Sequence, residues 1–584
     1  MNSRKMKIAR FQGCVVLFLL FLVIAPLRAP AADFKFVVWG DSQFHNLDVF
    51  QRSIVETEAL KPSFVLQVGD MIHGYTYDPE NARRQWALFK RQLQPLTVPF
   101  YPVPGNHDVT TAEIEPVYGE VWGNDRYYYS FDLGSSHFVV LNTYAQQKYD
   151  TIVPEHMEWL RDDLEKHKES ENIFLAFHSP LHMNESYDWN SVHNLLKKYP
   201  VRGVFTGHSH IYDYRRLDGI DYFCLNTSGW MPFNEHLLGH SHHFIVVSVR
   251  DKQVDYAVVT DGRIYPPDAV PPDEYKKART YLKEEQTIII PDPAEQEIYT
   301  TVTISLDNQT LGRRAFELTW ETEDFRWDFD PWGARVTLEP GEKNALDFVI
   351  SGPRDYFSRA NLPRLKVESP YTNSRGYSTT LVYYHRLFTP PKTGARRLIG
   401  ELTLDGKLTE EAWKQTPSIK QLYLDAAGHP APEDILVKVL YDDTHLYVYV
   451  EGEEPRVAGL AAYAHGDLPL VFGDDDFELY FDTNRDLKTF YRLMTNPEGI
   501  ILCSGPDGLF SFKFDVKTFI GRDYWSTEFK IPFSELKTTT PQPGAQWGFN
   551  VRRHRQQAIP AQRDWSKMNN FPYQPQYFGL LVFQ

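Results

Sequence analysis

Cysteine is scarce in this chain, with three residues in 584, at positions 14, 224 and 503. A disulfide framework is thereby excluded, and stability has to come from the size of the hydrophobic cores. Positive charge is also short: 61 lysines and arginines face 77 aspartates and glutamates, for a net charge of −16. That balance offers no surface for nucleic acid or for an anionic membrane. Low-complexity tracts and internal repeats are missing, and the one long apolar run lies close to the N terminus. A composition of 42% hydrophobic and 15% aromatic residues excludes general disorder. The aromatic excess, with 34 glycines and 39 prolines, points to many short strands and turns. The length predicts about three to five domains.

The apolar run Cys14 to Ala25 follows Arg4, Lys5, Lys7 and Arg10 and precedes Ala29-Pro30-Ala31. A positive stretch, an apolar core too short to span a bilayer comfortably and small residues at a cleavage point predict a secretory signal peptide over residues 1–31. The expectation is a secreted or periplasmic protein with no transmembrane segment once the leader is cut; an uncleaved anchor is the rival. Cys14 precedes the apolar run and is not placed to become a lipidated terminus.

From residue 33 to 263 apolar runs alternate with helical patterns. Leu47/Phe50/Ile54, Trp86/Phe89/Leu93 and Met157/Leu160/Leu164 are helical stripes, and FKFVVW, FVLQV, YPV, NIFLAF and GVF are strand-like. Residues 264–296 are proline-rich and charged (YPPDAVPPDEYKK) and predict a linker wrapping the first domain. Residues 297–388 predict a small Ig-like β-sandwich. Pro390-Pro391 marks a boundary, and the alternating apolar residues of 395–584 predict a second all-β sandwich.

Each of the five strand runs ends in polar residues: Asp41-Ser42-Gln43, Gly69-Asp70, Gly105-Asn106-His107-Asp108, His178, and Gly207-His208-Ser209-His210. Residues just past the carboxyl ends of neighbouring strands gather in one crevice. Carboxylates, amides and imidazoles are the donors that divalent first-row metals take, and a site with two metals needs a bridging carboxylate with ligands on either side. Each motif alone is weak, since Gly-Asp is usually a turn and His-x-His is usually a surface pair. The information lies in all five occurring in order.

This ordered set resembles the calcineurin-like metallophosphoesterases, whose pattern is D-x-H, G-D, G-N-H-D/E, H and G-H-x-H. The resemblance covers about residues 33–263 and implies an α/β fold, a β-sandwich flanked by helices, with two divalent metals (Mn, Fe or Zn) at the strand ends. It implies that Asp41, Gln43, Asp70 and His210 hold one metal, and that Asp70 bridges to a second held by Asn106, His178 and His208. His107 would contact the phosphate and protonate the leaving oxygen, and Asp108 would either orient His107 or stabilise a turn. Gln43 stands where the commonest pattern has histidine, and its harder amide oxygen favours Mn²⁺ or Fe²⁺ over Zn²⁺. The tyrosine that purple acid phosphatases use three residues after the Gly-Asp aspartate is also missing, so no charge-transfer purple enzyme is expected. His73, Tyr75, His182, His236 and His240 are either pocket-lining or structural, and Arg83 and Arg84 are expected to face water.

Leu404-Asp405-Gly406, Glu411-Ala412-Trp413, VKVLYDDTHLYVYVEGEE, DDDFELYFDTN and WSTEFKIPFSEL resemble a family-9-type carbohydrate-binding module over about 395–584. Trp525, Trp547 and Trp565 are the candidates for stacking on a sugar, with a core role as the alternative for each.

The expected activity is phosphoester hydrolysis, on a monoester or a diester, by in-line attack of a metal-bridging hydroxide. A polysaccharide or glycan held by the C-terminal domain would tether the enzyme. Two rivals are a glycan-binding surface protein with an inactive phosphatase domain, and a glycan-processing hydrolase built on a carboxylate pair. The division of labour predicts that a chain ending near Phe388 keeps close to full activity on a small ester.

Overall fold

The run Phe34–Trp39 forms a strand whose last four residues are buried, as a strand covered on both faces should be. The computed structural model describes residues 33–43, 47–183, 187–227, 235–260, 262–277, 287–290, 298–310, 312–352, 362–424, 429–462, 474–506, 508–509, 513–556, 562–566 and 574–584. The leader at 1–31 lies outside the described residues. Phe34–Trp39 sits inside a six-stranded sheet, parallel to Val65–Gln67 and antiparallel to Phe244–Arg250, with Phe100–Pro102 parallel at the edge. A second six-stranded sheet contains Ser136–Val140, Asn172–Ala176, Val201–Thr206 and Ile220–Cys224, all parallel.

The alternation of side chains along each strand decides what packs where. Phe36, Val38, Phe64 and Leu66 of the first sheet meet Phe138, Phe174, Phe205 and Phe223 of the second in one core. The Phe36 ring stacks on Phe64 at 4.9 Å and meets Phe138 edge-on at 5.2 Å. Val37, Trp39 and Val65 point the other way, onto Phe50, Ile54, Trp86 and Phe89 of the helices Leu47–Leu60 and Pro79–Gln92. Val139, Leu175 and Val204 similarly bury Leu160 and Leu164 of the helix Pro154–Lys166. The predicted helical stripes are therefore the buried faces. The helix at Pro79 starts where Asp78 accepts a hydrogen bond from the Glu80 N–H at 2.9 Å and proline fills the first turn. This is the expected β-sandwich flanked by helices.

The predicted linker packs against the first domain, as expected of a segment that wraps it. Ala269 and Val270 are buried, the Tyr212 hydroxyl donates to the Pro267 carbonyl at 2.7 Å, and Thr287–Ile289 is a strand parallel to Arg386–Phe388. Both ends of the segment are thus fastened by packing and hydrogen bonds that composition alone does not reveal. The next domain is a sandwich of a five-stranded and a three-stranded sheet around Trp320, Trp327, Phe329 and Phe348. It touches the first domain where Asn373 Nδ2 donates to the Ala269 carbonyl (2.8 Å) and where Leu238 packs on Tyr371 and Leu381. The last domain begins at Lys392, whose strand pairs with Gly579–Phe583. Its thirteen-stranded sheet curls upon itself, so that Phe477 and Trp525, on strands far apart in the sheet order, stack at 4.0 Å. No helix among the described residues is long and apolar enough to cross a membrane.

Three buried histidines make the first domain sensitive to acid. Burial depresses His182 to about 4, His236 to about 3 and His243 to about 4, from an ordinary 6.5. Neither ring nitrogen of His182 has a partner among the described residues. All three are neutral when folded, whereas the unfolded chain takes up their protons below pH 6.5. Stability is therefore full above pH 6.5 and is lost as pH falls towards 4, by up to ~1.4 kcal/mol per pH unit for each histidine. The thermal midpoint of chelator-treated protein should fall between pH 7 and 5, and His182→Gln should lessen the slope. A flat midpoint over that range would contradict this.

Candidate metal centre

Five loops leave the carboxyl ends of Phe34–Trp39, Val65–Gln67, Phe100–Pro102, Asn172–Ala176 and Val201–Thr206 and converge. They carry all seven sequence-predicted ligands. Asp70, His178 and His208 place ligand atoms within 4.8 Å of one another, and so do Asp41, Asp70 and His210. Asp70 belongs to both groups. Its Oδ2 lies 3.1 Å from His178 Nε2 and 3.4 Å from Gln43 Nε2, and Asp41 Oδ2 lies 3.1 Å from His210 Nε2. The Asn106 Oδ1 atom completes one side, 3.1 Å from His178 Nε2 and 2.8 Å from His208 Nδ1.

Close approach dictates the local sequence. A Cβ on Gly105 would stand 2.2 Å from Asp70 Oδ1, and one on Gly207 would stand 2.2 Å from Asp41 Oδ1. Asp70, His208 and His210 have φ of +53°, +68° and +51°. Such left-handed backbone at non-glycine residues is costly and is typical of sites where function fixes the geometry.

The charge distribution calls for cations. Asp41 and Asp70 are fully buried, and buried carboxylates persist only when paired or bound to metal. Burial alone would raise the Asp70 carboxyl, but His178 and His107 beside it hold it well below the ordinary range. His178 is pushed up to about 10: burial opposes the shift, and Asp70 and Asp41 outweigh it. Its Nδ1 hydrogen-bonds the Val68 carbonyl at 2.7 Å, which leaves Nε2 facing Asp70. Gln43 turns its Nε2 towards Asp70 and His210 while its buried Oε1 has no donor. Turning that amide over would bring the oxygen to the centre. The donor set thus fits two divalent cations that share Asp70.

His107 and Asp108 separate in role. The His107 Nδ1 hydrogen bond to the His73 carbonyl spans 2.5 Å, and its Nε2 is left 3.8 Å from Asp70 Oδ2. Asp108 accepts through its two oxygens from the N–H groups of Met71 (2.9 Å), Ile72 (3.3 Å) and Gly105 (2.9 Å). Its candidate catalytic role is corrected to that of a tie between two ligand loops, because three backbone donors take up the carboxylate.

Of the other tempting residues, Tyr75 reaches the centre: Asn106 Nδ2 donates to its hydroxyl at 2.9 Å and its ring meets His107 edge-on at 4.4 Å. His73 is exposed with its ring 6.0 Å from His107. His182 instead lies among Trp189 and Tyr222, and His236 beside Tyr212 and Tyr265. Arg83 faces water and pairs with Glu80 and Glu120. Sequence reasoning missed Tyr144, Asp150 and Ser179. The Tyr144 and Ser179 hydroxyls both donate to Asp150 Oδ1 (2.6 and 2.5 Å), and Tyr144 lies 3.3 Å from His208 Nδ1. They belong to no fixed-spacing motif, so only their assembly in space reveals them.

The three tryptophans proposed for sugar stacking are corrected to core residues. Trp525, Trp547 and Trp565 are 0%, 4% and 6% exposed and pack inside the C-terminal sandwich. The polar face of that sheet is more informative. Asp476, Glu478 and His554 lie within 4.8 Å of one another, and Asp476 Oδ1 and Glu478 Oε1 lack donors among the described residues. Burial pushes Asp476 up to about 7 despite His554 beside it. Arg492 already donates to Glu478 Oε2 at 2.6 Å, and Arg552 pairs with Asp564 at 2.9 Å. With two guanidinium groups and an imidazole against three carboxylates, this face needs no dication, unlike the first centre.

Residues 34–212 match the calcineurin-like phosphoesterase family and residues 404–583 the carbohydrate family 9 binding domain-like family. The chain is 26% identical over 209 residues to purple acid phosphatase 23 of Arabidopsis thaliana, a match covering 29% of this chain and 44% of that protein. It is 28% identical over 160 residues to purple acid phosphatase 15 of the same plant, covering 24% and 29%. The chain therefore spans less than half the length of these curated relatives. Among solved structures, a dimetal phosphatase from Danio rerio aligns at 16% identity and a TM-score of 0.31 over 40% of this chain and 96% of its own. A family 9 carbohydrate-binding module from Caldicellulosiruptor kristjanssonii, in complex with cellotriose, aligns at 17% identity and a TM-score of 0.26 over 33% and 93%. By the family matches, residues 34–212 are similar to calcineurin-like phosphoesterases and residues 404–583 to family-9-like carbohydrate-binding domains.

Proposed function

We propose that the protein is an exported, dimetal-dependent hydrolase of phosphoesters whose C-terminal domain binds carbohydrate. The observation that carries the reading is the position of Asp70, shared between two ligand groups in a buried, carboxylate-rich centre. Asp41, Gln43, Asp70 and His210 would hold one ion, and Asp70, Asn106, His178 and His208 the other. Bound there, two divalent ions would neutralise charge on the phosphoryl oxygens and lower the pKa of an attacking water.

The chain's own groups supply the rest. His107 donates from Nδ1 to the His73 carbonyl, so its protonated form presents Nε2–H to the substrate side. As the ester P–O bond breaks in line with the entering water oxygen, that proton passes to the leaving oxygen. The alcohol then departs neutral, and the water's proton returns to solvent. Asp108 keeps the loops of Asp70 and His107 in register through its three backbone contacts. His73 occupies the position three residues after Asp70, so a purple charge-transfer enzyme is not proposed despite the names of the relatives. Carbohydrate binding is proposed for the C-terminal domain from its family match, without tryptophan stacking. Export is proposed from the N-terminal leader.

Purified mature protein should hydrolyse a chromogenic phosphomonoester or diester with added Mn²⁺ or Fe²⁺ and lose that activity to a chelator. Metal-loaded protein inert towards both esters would contradict the reading. Asp70→Asn should lose bound metal together with activity. His107→Ala should keep both ions and lose about 10²–10⁴-fold in kcat, and equal metal loss in the two variants would refute the division of roles. Gln43→His should shift metal activation towards Zn²⁺, since imidazole suits zinc. An unchanged activation profile would place Gln43 outside the ligand set.

A further inference from the structure

One tyrosine outside the ligand set fixes the orientation of a ligand, and one contact ties that tyrosine to the far end of the chain. Asn106 has a single acceptor end and a single donor end. Its Oδ1 faces His178 and His208 at 3.1 and 2.8 Å, while its Nδ2 donates to the Tyr75 hydroxyl at 2.9 Å. Only the oxygen of an amide can ligate a metal, so a partner that claims the NH₂ group decides whether the oxygen is presented.

Tyr75 is itself held under constraint. Its φ is +44°, a conformation that a bulky side chain adopts only where the surroundings impose it. The segment 73–77 is pinned on its own domain by the Gly74 N–H on Gln85 Oε1 (2.9 Å), the Tyr75 N–H on Thr110 Oγ1 (3.3 Å) and Thr111 Oγ1 on the Thr76 carbonyl (3.2 Å). Two residues beyond Tyr75, Tyr77 packs on Met494 of the C-terminal domain, a residue 1% exposed against which Ile500 and Leu502 also pack. Consecutive Cα atoms are about 3.8 Å apart, so the Cα of Tyr77 lies within about 8 Å of that of Tyr75.

We infer that Tyr75 is a positioning residue that presents the Asn106 oxygen to the metal, and that Met494, packed on Tyr77, makes the C-terminal domain a brace for that arrangement. The inference rests on the dimetal reading above. It replaces the expectation that the phosphatase part works unaltered when the chain ends near Phe388, because such a chain lacks the surface against which Tyr77 packs.

The test uses the full mature chain, stripped of metal and titrated with Mn²⁺ by calorimetry. Kinetics on a chromogenic phosphoester and near-ultraviolet circular dichroism, as a check of folding, accompany the titration. Tyr75→Phe keeps the ring and removes the hydroxyl; it should weaken one of the two ions about tenfold or more, leave the other unchanged, and lower kcat more than KM. Met494→Ala should move the same ion in the same direction by a smaller factor. Met494→Leu, which conserves volume, should restore wild-type behaviour. Ile520→Ser, at a 49% exposed position of the same domain, should change nothing. Two ions bound by Tyr75→Phe with wild-type affinity would overturn the positioning role, and wild-type affinity and kcat in Met494→Ala would overturn the brace. A wild-type chain that binds fewer than two ions would overturn the dimetal reading itself, and the inference with it.

Discussion

Two carboxylates, Asp41 and Asp70, are buried without exposure at the meeting of two sheets, and the rest of the site is arranged around the cost of placing them there. Three imidazoles and two side-chain amides converge on them. Glycines at 105 and 207 let the backbone pass within contact distance of their oxygens, and left-handed backbone at Asp70, His208 and His210 aims the loops inward. Strain, burial and charge are all unfavourable taken singly. They are consistent with one another only if cations occupy the centre, and that is the physical ground for reading the domain as a metal-dependent hydrolase.

The two sheets make this possible by stacking phenylalanines between them. With Phe36, Phe64, Phe138, Phe174 and Phe205 interlocked in the core, the carboxyl ends of five strands from two different sheets are held in fixed relation. The precision of the site is inherited from that packing, because interiors at crystal-like density do not let such ends drift. The helices on the outer faces cover the alternate side chains of the same strands and take no direct part in holding the ligands.

Much of this was legible in the sequence because a ligand loop leaves a local mark: a strand-like run, a glycine where backbone and carboxylate must meet, and a donor side chain beside it. Six of the seven ligand candidates are of that kind, with His178 following its strand without a glycine, and the structure gathers all seven. Asp108 sits in the same motif yet serves the backbone, a distinction that depends on which N–H groups lie within reach. Tyr75 and Tyr144 carry no mark, since Asn106 and His208, which they meet at the centre, are 31 and 64 residues away along the chain. Trp525, Trp547 and Trp565 misled for a related reason: aromatic residues are as useful in a sandwich core as on a sugar-binding face, and only burial distinguishes the two. The proline-rich segment before residue 297 read as a linker wrapping the first domain, and the buried Ala269 and Val270 are the residues by which it packs, which composition alone does not name.

The account stands or falls on Asp70 bridging two cations. The most direct measurement is anomalous diffraction from crystals of the mature protein grown with Mn²⁺, with data collected on both sides of the manganese absorption edge. Two anomalous peaks about 3.5–4 Å apart, one on either side of the Asp70 carboxylate, with Asn106 Oδ1 at one and Gln43 Oε1 at the other, are the predicted result. A single peak, or two peaks that Asp70 does not join, would contradict the account.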